Sequence, residues 1–424
     1  MTIDTNPPKG IHVAIIGGGI TGVILALGLS ARNVSYTLYE RGTRFTELGA
    51  GIGISPNAER ALACIDPEVY RVYKSVATST GNEEDYFNWV DGRHTNLEIG
   101  RLLIGIDAFQ GGRRSDFLEA WARLLPGGRV SFGKQIDTVR TGEGGRMRMR
   151  FRDDSVEWAD VVIGCDGIHS RTRQLILGQS NPASYAQYTQ QYCFRALLPM
   201  SRALAVAGQT RTARRYMYNG PGAHALTYPV AGGRLLNALF KHTAKGSRAE
   251  VAAAFKDWHP TVQGLVALLP EYLDKWAIFD MHENPAPYYN LGAIALAGDA
   301  AHAAGPHLGS GAGFGIEDAL VLANVLRAAD EEVKALGMES AQICAAALNV
   351  YNNIRYSRTQ WLPGATREAV DLFQWRDPSA GKDADKFLAR VSELYHTIWD
   401  YDVDEMVETA VEEFRTAVAV EAAD

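Results

Sequence analysis

The stretch IHVAIIGGGITGVILALGLSARNVSYTLYE, residues 11–40, constrains the fold of this 424-residue chain more than any other. IHVAII reads as a buried strand that runs into a glycine turn. ITGVILALGLSARN follows with apolar residues at helical spacing, and SYTLYE reads as a second strand ending on Glu40. Gly17, Gly19 and Gly22 therefore form G-x-G-x-x-G between a strand and a helix. Glycines at these positions tighten the turn, bring backbone N–H groups close to a pyrophosphate and let helix and strand pack closely. The helix N-terminus adds a favourable potential for the anion. Glu40, 18 residues past Gly22, stands where a carboxylate accepts hydrogen bonds from a ribose. An acidic residue there disfavours a 2′-phosphate, which leaves NAD or FAD as the nucleotide.

Composition narrows the class. The length allows two or three domains or lobes, and 46% hydrophobic residues supply a sizeable core. A formal net charge of −7 argues against general nucleic-acid binding. No run of 18 apolar residues occurs, so no membrane span is expected. MTIDTNPPKG at the start lacks the apolar core of a signal peptide. Cys64, Cys165, Cys193 and Cys344 are scattered without a CxxC pair, so neither a metal site nor a disulfide framework is expected. A reducing, cytoplasmic compartment is the corresponding expectation.

Three more segments repeat the theme of a glycine or an aspartate at a strand end. FTELGAGIGISPNAERAL (45–62), which contains Gly53, is a glycine loop entering a helix. DVVIGCDGIHSRTR (160–173) is a strand ending in Asp166-Gly167. GDAAHAAGPHLGSGAGFGIEDA (298–319) places Asp299, Pro306, Gly311 and Ala312 in front of a helix whose first turn Glu317 and Asp318 suit. One long ligand laid across several loops explains them together. Taken singly they have local explanations: Asp166 and Ser170 are favoured helix caps, and Gly167 suits a turn. His302, in a tight loop, reads more naturally as structural.

In these motifs the sequence resembles the FAD-dependent aromatic hydroxylases, single-component flavoprotein monooxygenases. The matching pieces are GGGITG (17–22) with Glu40, GAGIGISPNA (49–58), RRSDFLEAW (113–121), GCDGIHSRTR (164–173) and the 298–319 loop. YNNIRYSRTQ (351–360) and IWDYD (398–402) look like the salicylate-hydroxylase branch. The resemblance implies an α/β fold: a Rossmann-like FAD-binding domain with an inserted antiparallel β-sheet substrate domain and a C-terminal helical region. The expected division is 1–180 and 291–335 for FAD binding, 181–290 for the substrate sheet, and 336–424 for the helices. It further implies that Glu40 holds the adenosine ribose, that Arg114 reaches the ribityl and pyrophosphate region, and that Asp166 serves FAD and transient NAD(P)H. Asp299 would bind the ribityl chain or pyrophosphate, and the loop Pro306–Gly313 would face the isoalloxazine ring.

Residues 180–290 change character to short β-branched or aromatic runs with turns at GPGA and AGG. In QYCFRAL, Cys193, Arg195 and Leu197 share one face of a strand. Arg195 either reaches water along its stem or is a pocket cation for a phenolate, carbonyl or carboxylate. In AHALTYPV, His224, Leu226 and Tyr228 share a face, with His224 and Tyr228 about 13 Å apart. By resemblance, Arg195 and Tyr228 are similar to the catalytic arginine and tyrosine of phenol-hydroxylating and dearomatising members from fungal polyketide pathways, with His224 as an alternative base. The implied reaction uses NAD(P)H, molecular oxygen and a flavin C4a-hydroperoxide to hydroxylate a resorcinol- or polyketide-type phenol, in a monomer or homodimer. Salicylate-type decarboxylating hydroxylation is the runner-up, and a non-catalytic flavin-binding regulator is the alternative of another class. The acidic amphipathic tail VSELYHTIWDYDVDEMVETAVEEFRTAV either packs on the body or forms a dimer contact.

Overall fold

The structure is a computed structural model and describes residues 10–45, 51–78, 86–105, 108–242, 247–336 and 340–421. Part of the GAGIGISPNA segment, residues 49 and 50, lies outside the described residues. The strand His12–Ile16 is central to a six-stranded sheet. The order is Asn290–Leu291, Ile294–Leu296, Val161–Gly164, His12–Ile16, Ser35–Glu40, Val130–Phe132. Every pairing is parallel except that of the first two strands. Val13, Ala14 and Ile15 are wholly buried. That accounts for the continuous rather than alternating apolar run, since a parallel strand is covered on both faces. The helix Ile20–Ala31 packs on the helix Gly311–Leu336. A Cβ on Gly28 would come within 2.9 Å of the Ala323 Cβ, so glycine sets this close crossing.

The second sheet has seven strands in the order Lys275–Asp280, Gln187–Pro199, Leu235–His242, Ala223–Val230, Arg215–Gly220, Tyr86–Asp91, Glu98–Leu103. One face, with Phe194, Ala196, Leu198, Ala225 and Phe240, is buried under the helices Met200–Thr212, Arg248–Ala254 and Pro260–Ala267. The other face looks toward the first sheet's glycine loops. Its strands Tyr86–Asp91 and Glu98–Leu103 come from the part of the chain that sequence reading places in the first FAD-binding segment. The boundary at residue 181 therefore leaves out two strands of this sheet. The join, Tyr86–Asp91 with Arg215–Gly220, is parallel and long-range, so no hairpin signal marks it.

The chain after residue 336 is helical: Ser340–Phe373, Ala384–Trp399 and Val403–Glu421. The last buries Val403, Met406, Ala410, Phe414 and Val418, a helical stripe, against the first core. The tail thus packs on the body. The helix Ala384–Trp399 lays Phe387, Val391 and Tyr395 against Phe87 and Trp89 of the second sheet. Among the described residues no helix is long and apolar enough to cross a membrane.

Candidate active site

A continuous cavity of about 580 Å³ runs from Glu40, Arg41 and Lys134 at one end to Arg195, Tyr228 and Tyr395 at the other. The first arm is built by the strand–turn–helix unit. Gly17 has φ +107°, and a Cβ there would meet the Cys165 carbonyl at 2.5 Å. A Cβ on Gly22 would clash with the Gly17 carbonyl at 2.0 Å, so this third glycine serves helix–strand packing. Gly19, the N-cap of the helix, has open space beside it and lines the cavity. Glu40 accepts hydrogen bonds from Gly18 N and Gly42 N, both at 2.7 Å, which fixes its carboxylate on the cavity wall. Gly53, Arg114 (first residue of the helix Arg114–Ala122), Asp166 and Asp299 line the same cavity, as do Pro306, Gly311 and Ala312.

The Asp166 carboxylate is fully engaged locally. It accepts from Ser170 Oγ, from the N–H groups of Arg171 and Thr172, and from Thr172 Oγ1, which anchors the start of the helix Arg171–Leu177. Burial pushes its pKa up, against the pull of those hydrogen bonds. The local capping explanation and the cavity position both hold for this residue.

The second arm is the face of the seven-stranded sheet, on which alternation sets three successive rows about 7 Å apart. One row pairs Cys193, Lys241 and His224, the next Arg195, Leu239 and Leu226, and the third Asn237 with Tyr228. Arg195 lines the cavity, and its Nε is buried without a hydrogen-bond acceptor. Burial pushes the Tyr228 phenol up to about 12, while the charge of Arg195 pulls it down. Tyr228 therefore stays protonated at neutral pH and is a hydrogen-bond donor. Lys241 is 2% exposed, lines the cavity and sits 3.0 Å from His307 Nδ1. His224 stands behind His307, with ring centroids 5.7 Å apart, and Gln374 Nε2 lies 3.2 Å from its Nδ1. It is off the cavity wall, so it is not placed to take a proton from a bound substrate directly.

A family model described as a FAD binding domain matches residues 10–336. The chain belongs to that family. The FAD-dependent monooxygenase pigN of Monascus ruber is 44% identical over 96% of this chain and 97% of its own length. The salicylate hydroxylase asL1 of Sarocladium schorii is 37% identical over 97% of this chain and 93% of its own. Among solved structures, a salicylate hydroxylase substrate complex matches with a TM-score of 0.83 and 28% identity, covering 95% of this chain and 98% of that one. This chain is accordingly a FAD-dependent monooxygenase of salicylate-hydroxylase-like type, and a non-catalytic regulator is set aside.

The residues fit FAD in this monooxygenase. The open space at Gly19, the fixed Glu40 carboxylate and the start of the helix Gly311–Leu336 are spread along one elongated cavity, as a dinucleotide with a ring system requires. The 298–319 loop is held from beneath by a buried ion cluster. Asp318 accepts from Gly298 N at 2.8 Å, lies 2.6 Å from His302 Nε2 and pairs with Arg355 Nε at 2.8 Å. Glu317 pairs with Arg355 at 2.7 Å and Arg358 at 2.8 Å, and accepts from Asn57 Nδ2. His302, Glu317 and Asp318 are thus structural rather than ligands, and Glu317 and Asp318 are not first-turn dipole residues. Sequence reading missed Lys241, His307 as its partner, and Tyr395. Lys241 was legible: it alternates with Asn237 and Leu239 in GRLLNALFKH, on the strand beside Arg195.

Proposed function

We propose that this monooxygenase hydroxylates a phenolic aromatic substrate, with NAD(P)H as reductant and molecular oxygen as co-substrate. The observation that carries the reading is Arg195. It is a cation on the cavity wall, with a buried, unpartnered Nε, one row from the protonated Tyr228. FAD, when bound, supplies electrons from NAD(P)H and the site where oxygen is activated. The chain's own residues do the rest. Arg195 pairs with the substrate oxygen and lowers the pKa of the phenol, so that the ring is attacked as the electron-rich phenolate. Tyr228 donates a hydrogen bond to the same oxygen and fixes the ring's orientation. Phe87, Leu226, Leu239, Leu308 and Tyr395 line the pocket and keep water from it. The N–H groups at the start of the helix Gly311–Leu336 favour negative charge on the cavity side.

For the cofactor arm, Glu40 takes the ribose, Gly17 and Gly19 the pyrophosphate, and Arg114 and Asp299 the ribityl region. The test is NADH and NADPH consumption with a panel of resorcinols and salicylates, followed by mass spectrometry of the products. Substrate-stimulated consumption with one oxygen added supports phenol hydroxylation. One oxygen added with loss of carbon dioxide supports the salicylate-type reaction, a reading favoured by the relatives so named. No stimulation by any phenol sinks the proposal.

A further inference from the structure

Lys241 has no role in the reaction as derived so far, yet its position is costly. A buried ammonium needs a counter-charge or a full set of acceptors. Among the described residues no carboxylate pairs with Lys241, and its hydrogen-bond partner is the single nitrogen of His307. Burial and the nearby Lys241 and His224 hold His307 well below the ordinary imidazole value, so this partner is neutral. The charged groups around Lys241 are mostly cationic. Arg195 is its diagonal neighbour on the next strand, and Arg376 acts on His224 and His307 from the side of the helix Ser340–Phe373. Burial brings the Lys241 pKa down to about 8, with Cys193 opposing and Arg195 assisting, so the ammonium still predominates at neutral pH. Arg195, Arg215 and Lys241 all line the cavity, and among the described residues no carboxylate pairs with Arg195 or Lys241, which leaves these two as half of an ion-pair arrangement. The ligand has to bring the rest.

The rows give the spacing. Arg195 is the diagonal neighbour of Lys241 on the adjacent strand, about 7–8 Å away, whereas Tyr228 stands one row further along and two strands from Arg195. A single aromatic ring bearing oxygen substituents at different positions spans such a step. We propose that Lys241 is a second substrate-binding cation, taking the oxygen of a carbonyl or carboxylate substituent on the same ring whose phenolate oxygen pairs with Arg195. The assignment rests on the phenol reading of the pocket. It narrows the substrate class from phenols to phenols carrying an acyl or carboxyl group.

The test compares three substrates: a resorcinol without a carbonyl, its acetyl derivative and its carboxyl derivative. The wild-type holoenzyme is expected to favour at least one carbonyl-bearing member by about tenfold or more in kcat/KM, the worth of one charge-assisted hydrogen bond. Which member leads separates an acyl from a carboxylate partner. In Lys241→Met that preference ratio is expected to fall by about tenfold, mostly through KM, and Lys241→Arg should restore part of it. A merely structural lysine would depress all three substrates alike and leave the ratio untouched, which would overturn the proposal. Equal kcat/KM for the three substrates in the wild type would overturn it without any variant, should the substitutions release the flavin. Failure of the parent reading looks different: no phenol of any kind would stimulate NAD(P)H oxidation.

Discussion

The two sides of the 298–313 loop carry buried charge under opposite rules. Beneath it, Glu317 and Asp318 meet Arg355, Arg358 and His302, and every carboxylate oxygen has a partner supplied by the chain. Above it, Arg195 and Lys241 face the cavity, and among the described residues no carboxylate pairs with either. Arg173 shows that a buried cation can also be satisfied without acid: it donates to the carbonyls of Ala183, Ala300 and Ala301. Arg195 has not been given that arrangement, since its Nε finds no acceptor. Under the proposed function, the difference separates charge that holds the fold from charge that awaits a ligand. In the first cluster the chain completes the electrostatics, whereas in the second, on the proposed reading, the substrate does.

The largest effect is expected from opening the closed cluster. Arg355→Met strands Glu317 and Asp318 in the core, and the expected loss is about 3–5 kcal/mol of folding stability, read by urea unfolding of the holoenzyme. The pH dependence gives an independent check. Burial opposes ionisation of both carboxyls, but Arg355 with Arg358 for Glu317, and His302 with Arg355 for Asp318, hold them below their ordinary values. A depressed folded pKa contributes stability above the unfolded pKa, near 4, and loses it as pH falls through the folded one. In Arg355→Met burial is less opposed and the same carboxyls shift upward, so protonation relieves the variant. The stability gap between wild type and variant should therefore narrow from pH 7 to pH 4. A gap independent of pH would mean that the cluster is not what Arg355 supports.

Arg195→Ala probes the other side, with the signature inverted. The side chain has no described ion-pair partner, so the unfolding free energy should stay within about 0.5–1 kcal/mol of wild type. FAD binding should persist, while kcat/KM for the phenol falls on the order of 10²-fold or more. A variant that hydroxylates within threefold of wild type would remove Arg195 from the substrate site. One that unfolds as readily as Arg355→Met would move it into the architectural class.

Much of this contrast was legible in the sequence, but unevenly. The strand–glycine–helix–Glu40 unit is local, so its spacing alone set out a parallel sheet and a nucleotide arm. Arg195 and Tyr228 stood out because alternation puts each on a known strand face. The ion cluster was not legible. Glu317 and Asp318 look like dipole residues at a helix start, and their shared partner Arg355 lies 37 residues beyond Asp318 in another helix. The same limit hid the two strands that Tyr86–Asp91 and Glu98–Leu103 add to the second sheet, since a parallel, long-range pairing leaves no turn signal. For Asp166 the local cap and the cavity wall turned out to be compatible. Its carboxylate anchors a helix start while the residue itself borders the cavity.

The smallest effect expected is also the one that most sharpens the open side. Tyr228→Phe deletes one hydroxyl and keeps the ring, so about a five- to tenfold fall in kcat/KM is expected, the worth of one hydrogen bond. The loss should appear in oxygen transfer rather than in flavin reduction, and stopped-flow measurement of the two half-reactions separates them. Burial carries the Tyr228 pKa to about 12 despite Arg195, so the phenol does not ionise in the working range. The pH profiles of wild type and variant should then share their midpoints between pH 6 and pH 10, differing only in height. A basic limb that disappears in Tyr228→Phe would make Tyr228 an ionising group instead. The cavity would then hold a phenolate of its own beside Arg195, and the cationic wall would be partly closed by the protein after all.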